Sequence, residues 1–134
     1  MRGLATSAGF ATLLLLATAC SGDETVRAYG AADRVWTLAS LDGQPFAATA
    51  TLTFPEPGQI AGQAPCNRYS GAMKAPYPWF DAGPLAATRM ACPDLQAETA
   101  FFAALDAMTQ AEVLDDTLVL STDDGREMVF IAGA

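Results

Sequence analysis

The chain has 134 residues, enough for one domain of ordinary size, and carries 15 Asp and Glu residues against 7 Lys and Arg, a net charge of −8. It has no histidine, which excludes a Ser-His-Asp triad, a Cys-His pair and a His-ligated zinc site within this chain. The acidic balance argues against a nucleic-acid partner, because neutralising phosphates requires clustered Lys and Arg.

The N-terminal segment is apolar and ends in small residues. Residues 3–19 contain no charged side chain, and Arg2 is the only positive charge before them. This pattern predicts a secretory signal peptide over residues 1–19. A membrane-spanning helix is the alternative, but these 17 residues are at the short end of what crosses a bilayer, and no basic cluster follows them.

Cys20 stands directly after this segment, where residues 16–20 read Leu-Ala-Thr-Ala-Cys. The run resembles the lipobox of bacterial lipoproteins, whose cysteine is acylated and becomes N-terminal. We therefore expect lipid attachment at Cys20, although residues 17–19 also form an A-x-A site for ordinary secretion. Residues 20–33 have little periodicity and are predicted to be the lipid attachment and a flexible linker, with order beginning near Arg34.

The rest of the chain predicts one mainly antiparallel domain over residues 34–131. Residues 49–54 alternate cleanly between polar and apolar side chains, and Asp42-Gly43 and Asp124-Gly125 are hairpin turn signals. Residues 77–80 are a weaker candidate to pair with the middle strand, because prolines suit an edge or a loop. The strands are predicted at 35–41, 49–54, 59–62, 67–73, 117–121 and 127–131.

One helix is predicted between Pro93 and about Thr109, with proline at its first position. Glu98 projects from the middle of the apolar face, where an unpaired carboxylate would be costly. It should therefore be exposed or paired, with Arg68 and Arg89 as the first partners to consider. A simple preference of glutamate for the N-terminal end of a helix is the alternative explanation.

Cys66 and Cys92 remain once Cys20 is assigned to the lipid. Exported proteins meet an oxidising compartment, which favours a structural disulfide between these two cysteines. The bridge would stabilise the fold by about 3.5 kcal/mol on the chain-entropy estimate. Redox catalysis is the alternative, but the two cysteines lack C-x-x-C spacing and a neighbouring histidine.

The most distinctive run is residues 65–71, Pro-Cys-Asn-Arg-Tyr-Ser-Gly. The structural interpretation is that Asn and Gly serve turns while Tyr packs. The functional one is a patch for an anionic or peptide ligand or a protein partner, because arginine binds carboxylates and phosphates in a bidentate manner. The candidate residues of this patch are Asn67, Arg68, Arg89 and Glu98. The Asp pairs at 115–116 and 123–124 lack EF-hand spacing and are read as solvated turns, so we expect no metal and no cofactor.

The ordered set of motifs resembles the META domain, or HslJ-like, family. The resemblance is carried by residues 36–38 and 41–43, by the run 66–71, and by Thr-Arg-Met-Ala-Cys at 88–92. It extends through the helix and the strand around Leu118-Val119-Leu120. The resemblance implies a compact, curved antiparallel sheet or a β-barrel-like fold packed with one helix. It also implies a bacterial envelope lipoprotein associated with heat shock, envelope stress or drug tolerance, without a defined catalytic mechanism.

These observations predict a lipid-anchored protein of the bacterial cell envelope that faces the periplasm. We expect a monomer without catalytic residues that binds an unknown envelope protein or a small ligand and supports stress tolerance. An envelope enzyme, either a carboxylate hydrolase or a thiol oxidoreductase, and a small-ligand carrier are the alternatives. An enclosed apolar cavity would favour the carrier.

Overall fold

The structure is a computed structural model that describes residues 22–133 together with Gly3, Gly9 and Ala11. Cys20 and most of the predicted signal peptide lie outside these residues. The described part contains a 3-10 helix (Val26–Tyr29), one helix α1 (Leu95–Ala107), and strands β1 (Trp36–Leu41), β2 (Gln44–Pro45), β3 (Thr51–Leu52), β4 (Gln59–Gln63), β5 (Arg68–Ala72), β6 (Ala86–Ala87), β7 (Gln110–Leu114), β8 (Thr117–Ser121) and β9 (Glu127–Ala132). No helix in this part of the chain combines the length and the apolar character needed to cross a membrane.

The larger sheet has six antiparallel strands in the order β2-β1-β9-β8-β7, with β3 also paired to β1. The last strand thus lies between the first strand and β8, which brings the two ends of the domain together. The turn between β1 and β2 has Asp42 at φ 51° and Gly43 at φ 80°, the left-handed conformation that a two-residue hairpin requires. The predicted Asp42-Gly43 turn signal therefore matches the structure.

The smaller sheet has three antiparallel strands in the order β4-β5-β6. A bridge between Thr53 and Ala61 links its first strand to the chain that leaves β3. Over residues 22–133 the sheets remain open and do not close into a barrel. The mainly β fold with one packed helix is confirmed, and of the two sheet arrangements the resemblance implied, the barrel-like one is not found.

The core lies between the sheets and α1. Phe101 and Leu105 of the helix are fully buried, and the Phe101 ring meets Tyr69 of β5 edge to face at 5.6 Å between centroids. The alternation predicted over residues 49–54 is also correct, since Ala50, Leu52 and Phe54 are all buried. Leu95 has the helical spacing of the apolar face, which predicts burial, but it is 47% exposed because it begins the helix at the edge of the core.

Part of the predicted flexible linker belongs to the folded unit. Val26 and Ala31 are completely buried, and the Arg27 side chain donates to the backbone carbonyl of Phe54. A few apolar residues in an otherwise polar stretch give no periodic pattern, so sequence inspection did not detect this packing. Order begins before Arg34.

Residues 77–80 do not pair with the middle strand, whose partners are β4 and β6. Phe80 donates its backbone N–H to the carbonyl of Thr109, and Trp79 forms a bridge with Gln110 of β7. The segment therefore lies against the edge of the larger sheet, next to a strand that was not predicted.

Candidate functional site

The N-terminal end of α1 and the start of β5 meet at a buried carboxylate. Glu98 is in the first turn of the helix and is only 5% exposed. Its Oε1 accepts the backbone N–H groups of Cys66 at 3.0 Å and of Asn67 at 2.7 Å. Its Oε2 accepts the Asn67 side-chain amide at 2.7 Å. Three N–H donors therefore replace the water that this carboxylate loses on burial.

Asn67 uses all of its side-chain hydrogen-bonding capacity. Besides donating to Glu98, its Nδ2 donates to the Met90 carbonyl at 3.0 Å. Its Oδ1 accepts the Met90 N–H at 2.6 Å and the Thr88 hydroxyl at 2.9 Å. Asn67 is 4% exposed and thereby ties β5, the loop 88–90 and α1 together. An apolar or shorter side chain could not make these four contacts.

The disulfide between Cys66 and Cys92 closes the same region. The two Cα atoms lie 5.6 Å apart, within the range that a bridge requires. Cys92 is just before the helix, and its carbonyl accepts the N–H of Leu95. The bridge therefore holds the start of α1 against the residues that bind the Glu98 carboxylate. The predicted pairing is present in the structure. We call the set Cys66, Asn67, Cys92 and Glu98 the polar node.

The expectation that Glu98 pairs with Arg68 or Arg89 is wrong, because its partners are the N–H groups of Cys66 and Asn67. Arg68 and Arg89 are both exposed, and neither forms an ion pair within residues 22–133. The physical reason is that the backbone N–H groups at residues 66–67 already donate hydrogen bonds to the buried carboxylate, while Arg68 is on the solvent side of β5. The four predicted patch residues thus separate into two buried members and two exposed ones.

Of the two exposed members, Arg68 lines an open cleft beside β5 and β6. The cleft has a volume of about 300 Å³ and is lined by Arg68, Tyr69, Ser70, Ala86, Ala87 and Thr88. Arg68 and Thr88 are held together by a pair of hydrogen bonds, from the Arg68 N–H to the Thr88 hydroxyl and from the Thr88 N–H to the Arg68 carbonyl. Arg89 does not line the cleft but follows Thr88 directly, so its backbone starts from a residue that is hydrogen-bonded to Arg68.

Thr88 is a site residue that sequence reasoning missed. Its hydroxyl accepts from the Arg68 backbone at 3.2 Å and donates to Asn67, so it links the polar node to the cleft. A threonine directly before Arg89, in the run that also holds Cys92, was the available signal. Its partners, however, are about twenty residues away in sequence.

A second, apolar cleft lies between the loop 82–87 and α1. It has a volume of about 290 Å³ and opens to solvent, with Leu85 and Phe102 among its walls. The smaller sheet is close-packed beside it, since a Cβ at Gly71 would lie 2.7 Å from Leu85. This cleft is open at the surface, so it is not the enclosed apolar cavity that would favour the small-ligand carrier hypothesis.

The acidic turns have local roles. The Asp116 carboxylate pairs with Arg34. The Arg34 guanidinium also lies over the Trp36 ring, with its carbon 5.0 Å from the ring centroid. Asp42 accepts the Glu127 N–H and pairs with Arg126 at 3.0 Å, and these contacts hold the pKa of its carboxyl below the usual value. Within residues 22–133 no cluster of three acidic or cysteine side chains could hold a metal ion.

Comparisons with solved structures agree with this fold. An NMR structure of a protein from Burkholderia xenovorans is 26% identical, covers 81% of this chain and 88% of that chain, and superposes with a TM-score of 0.64. A second protein solved by NMR is also 26% identical, with 73% and 87% covered and a TM-score of 0.57. A crystal structure of a DUF4847 family protein from Bacteroides vulgatus is 12% identical, with 78% and 94% covered and a TM-score of 0.60, and shows the fold alone.

No curated protein matches the sequence. The META domain profile matches residues 30–134, which include β1, the polar node and the final hairpin. This match supports an envelope-associated protein, since META domains are typical of bacterial envelope proteins. Because the match spans well over half of the chain, the protein belongs to the META domain family.

Proposed function

We propose that this protein is a lipid-anchored envelope protein that faces the periplasm, binds a carboxylate-bearing partner and supports tolerance of envelope stress without catalysing a reaction. The anchor is an acyl group on Cys20, as the run at 16–20 suggests. Stable anchoring needs two or more acyl chains, because one chain binds a bilayer only marginally.

The pair of exposed guanidinium groups at Arg68 and Arg89 carries the binding proposal. Three other arginines, Arg27, Arg34 and Arg126, are engaged in ion pairs with aspartates. Arg68 and Arg89 have no such pair within residues 22–133, in a chain that is otherwise strongly acidic. Arg68 lines the cleft and Arg89 directly follows its lining residue Thr88, so the two cations offer a local site for a carboxylate, which arginine binds through two parallel hydrogen bonds.

The polar node supports this site from below. Glu98 and Asn67 are buried and fully hydrogen-bonded, so their role in the proposal is positioning rather than contact with the partner. Asn67 fixes Thr88 and Met90 on either side of Arg89, and the disulfide fixes the loop that follows. A binding site held on such a rigid frame loses little conformational entropy when the partner arrives.

Site-specific photocrosslinking in the envelope tests the proposal. A photoreactive amino acid at Ser70, which is exposed in the cleft, should capture a partner in the wild-type background. Changing Arg68 and Arg89 together to alanine should reduce the captured product at least about tenfold, because the loss of a single charge-assisted hydrogen bond already weakens binding by that factor. A strain that carries the double variant should show the same loss of stress tolerance as a deletion strain.

Lys74→Ala is the matched control, because Lys74 is an exposed cation that does not line the cleft. It should leave the Ser70 crosslink unchanged. A photoreactive group at Asp123, in the exposed turn before β9, should capture much less product. Recovery of the monomer alone from the Ser70 position, together with unchanged stress tolerance in the deletion strain, would refute the binding function.

A further inference from the structure

Two exposed aromatic side chains, Tyr29 and Trp79, and the half-buried Tyr77 lie near one edge of the larger sheet. Tyr29 is 55% exposed and stacks on Tyr77, with 4.6 Å between the ring centroids and 10° between their planes. Trp79, two residues further along, is 52% exposed and bridges to Gln110 of β7. We call Tyr29, Tyr77 and Trp79 the aromatic face. Large aromatic rings with about half of their surface open to water, as in Tyr29 and Trp79, are typical of a surface that contacts something else.

The N-terminal chain enters the fold at this same face. The backbone carbonyl of Glu24 accepts the N–H of Tyr77 at 2.7 Å. One residue earlier, the Asp23 carboxylate accepts both the N–H and the hydroxyl of Thr25. The chain is therefore fixed from Asp23 onward, beside the Tyr29–Tyr77 stack. Cys20 is four residues before Glu24, so it can be no more than about 14 Å from it.

The polar node lies at the other end of the helix. Phe80 and Trp79 contact Thr109 and Gln110, directly after the C-terminal end of α1. The disulfide lies before its N-terminal end. A helix of 13 residues is about 20 Å long, which separates the aromatic face from the start of α1 by that distance along the axis. The aromatic face and the polar node therefore lie toward opposite ends of the domain.

We propose that the aromatic face rests in the interfacial layer of the bilayer that holds the acyl group of Cys20, with the polar node and the Arg68–Arg89 cleft turned away from the membrane. This inference rests on the lipid attachment in the proposed function. A tether of about 14 Å leaves the entry point of the chain close to the lipid headgroups. Tyrosine and tryptophan suit this layer because each combines an apolar ring with a polar hydrogen-bonding group.

The charge of the protein identifies the kind of lipid surface. Glu112 lines the cleft that also contains Tyr77 and Pro78, and the whole chain is acidic. Anionic headgroups would repel such a face, whereas zwitterionic headgroups would not. Contact through the aromatic rings therefore requires zwitterionic lipid and depends little on salt.

Fluorescence quenching of the full mature protein in vesicles tests the orientation. The chain has two tryptophans, of which Trp36 is completely buried and Trp79 is exposed. The protein is reconstituted in phosphatidylcholine vesicles that carry a quencher near the headgroup, and its intact mass is measured first. The difference between the emission of wild type and of Trp79→Phe is the Trp79 signal. The quencher in the lipid should suppress most of this signal, whereas acrylamide in the water should suppress little of it.

A tryptophan moved to the far end provides the control. Leu95 is 47% exposed at the start of α1, so Leu95→Trp in the Trp79→Phe background should fold and report on the opposite end. Its emission should be quenched by acrylamide and not by the lipid. Equal lipid quenching of the tryptophans at positions 79 and 95, or no lipid quenching at position 79, overturns the orientation. If the intact mass shows acylation in that case, the lipid anchor itself stands. A mass without acyl chains overturns the anchor and the orientation together.

Discussion

The Glu98 carboxylate and the Asn67 side-chain amide lie 2.7 Å apart in the interior of the domain, joined by a hydrogen bond across 31 residues of sequence. Glu98 also accepts the Asn67 backbone N–H, so the two residues share two contacts. A negative charge at this place is favoured further by the N-terminal end of the helix dipole. The pair therefore connects the direction of α1 to the position of β5.

Glu98→Gln should destabilise the protein by about 2 to 3 kcal/mol, because it removes the charge and turns an amide donor toward the Asn67 amide. The remaining side-chain oxygen of the glutamine can still accept hydrogen bonds from the two backbone N–H groups, so the protein should still fold. Urea unfolding followed by circular dichroism measures the change. Glu98→Ala should cost more, since it leaves three buried donors without an acceptor.

Glu127→Gln is the control for this prediction, since Glu127 is exposed on β9. Its effect should stay within about 0.5 kcal/mol of wild type. An equally small effect of Glu98→Gln would mean that the carboxylate makes no net contribution to stability.

Replacing Cys66 and Cys92 together with alanine should lower the free energy of unfolding by about 3.5 kcal/mol, because the unfolded chain loses its loop constraint. The two cysteines are 26 residues apart in sequence. Reductant should weaken the wild type to a similar degree and leave the double variant unchanged. Two titratable thiols in the folded, exported protein would contradict the structural disulfide and favour the redox alternative.

Asp42→Asn should remove a pH-dependent part of the stability. The Glu127 N–H and then the Arg126 guanidinium lower the pKa of Asp42 in the folded state, relative to about 3.9 in the unfolded chain. The Asp42 contribution is therefore complete above that value and is lost as the pH falls through the folded pKa. The pair is exposed, so the difference between wild type and variant should stay below about 1 kcal/mol.

Asp42→Ala separates the charge from the backbone. Asp42 has φ 51°, a left-handed conformation that asparagine tolerates and alanine does not. Alanine should therefore cost about 1 kcal/mol more than asparagine, and this excess should not vary with pH. Unfolding curves at pH 7 and pH 3 measure both quantities. Equal stability of the alanine and asparagine variants would show that the left-handed backbone at this turn sets no requirement on the side chain.

Local sequence signals were sufficient for the C-terminal hairpin. β8 and β9 are short runs of β-branched and apolar residues separated by Asp124-Gly125, and Gly125 has φ 94° as the turn requires. The same reasoning failed for β7 because Gln-Ala-Glu-Val-Leu has the composition of a helix. Its pairing with β8 through a tight turn at Asp115, which has φ 52°, overrides that local preference.

The partners of Glu98 depend on tertiary structure and were outside the reach of sequence reasoning. The sequence indicated that this glutamate needed a partner, and charge suggested Arg68 or Arg89. The actual donors are two backbone N–H groups and an amide, which carry no signature in the residue letters. Backbone groups at the turn before β5 are free to donate only because the chain reverses there. The disulfide pairing, in contrast, followed from counting cysteines.

Gly62→Ala should destabilise the domain by about 3 kcal/mol, because a Cβ there has no room. It would lie 2.1 Å from the Thr51 carbonyl oxygen and 2.7 Å from the Tyr69 hydroxyl. That hydroxyl donates to the same Thr51 oxygen at 2.6 Å, and burial raises the pKa of Tyr69 so that it remains a donor. The glycine thus allows β3, β4 and the tyrosine to meet at one point.

Tyr69→Phe separates the two contacts of that Cβ. Alone, it should cost about 1 to 1.5 kcal/mol through the lost hydrogen bond. Combined with Gly62→Ala, it should restore little stability, because the 2.1 Å approach to the Thr51 backbone remains. Gly133→Ala, whose Cβ would lie 3.5 Å from the nearest atom, is the control and should be nearly neutral. Full rescue of Gly62→Ala by Tyr69→Phe would show that the hydroxyl, rather than the strand backbone, sets the requirement for glycine.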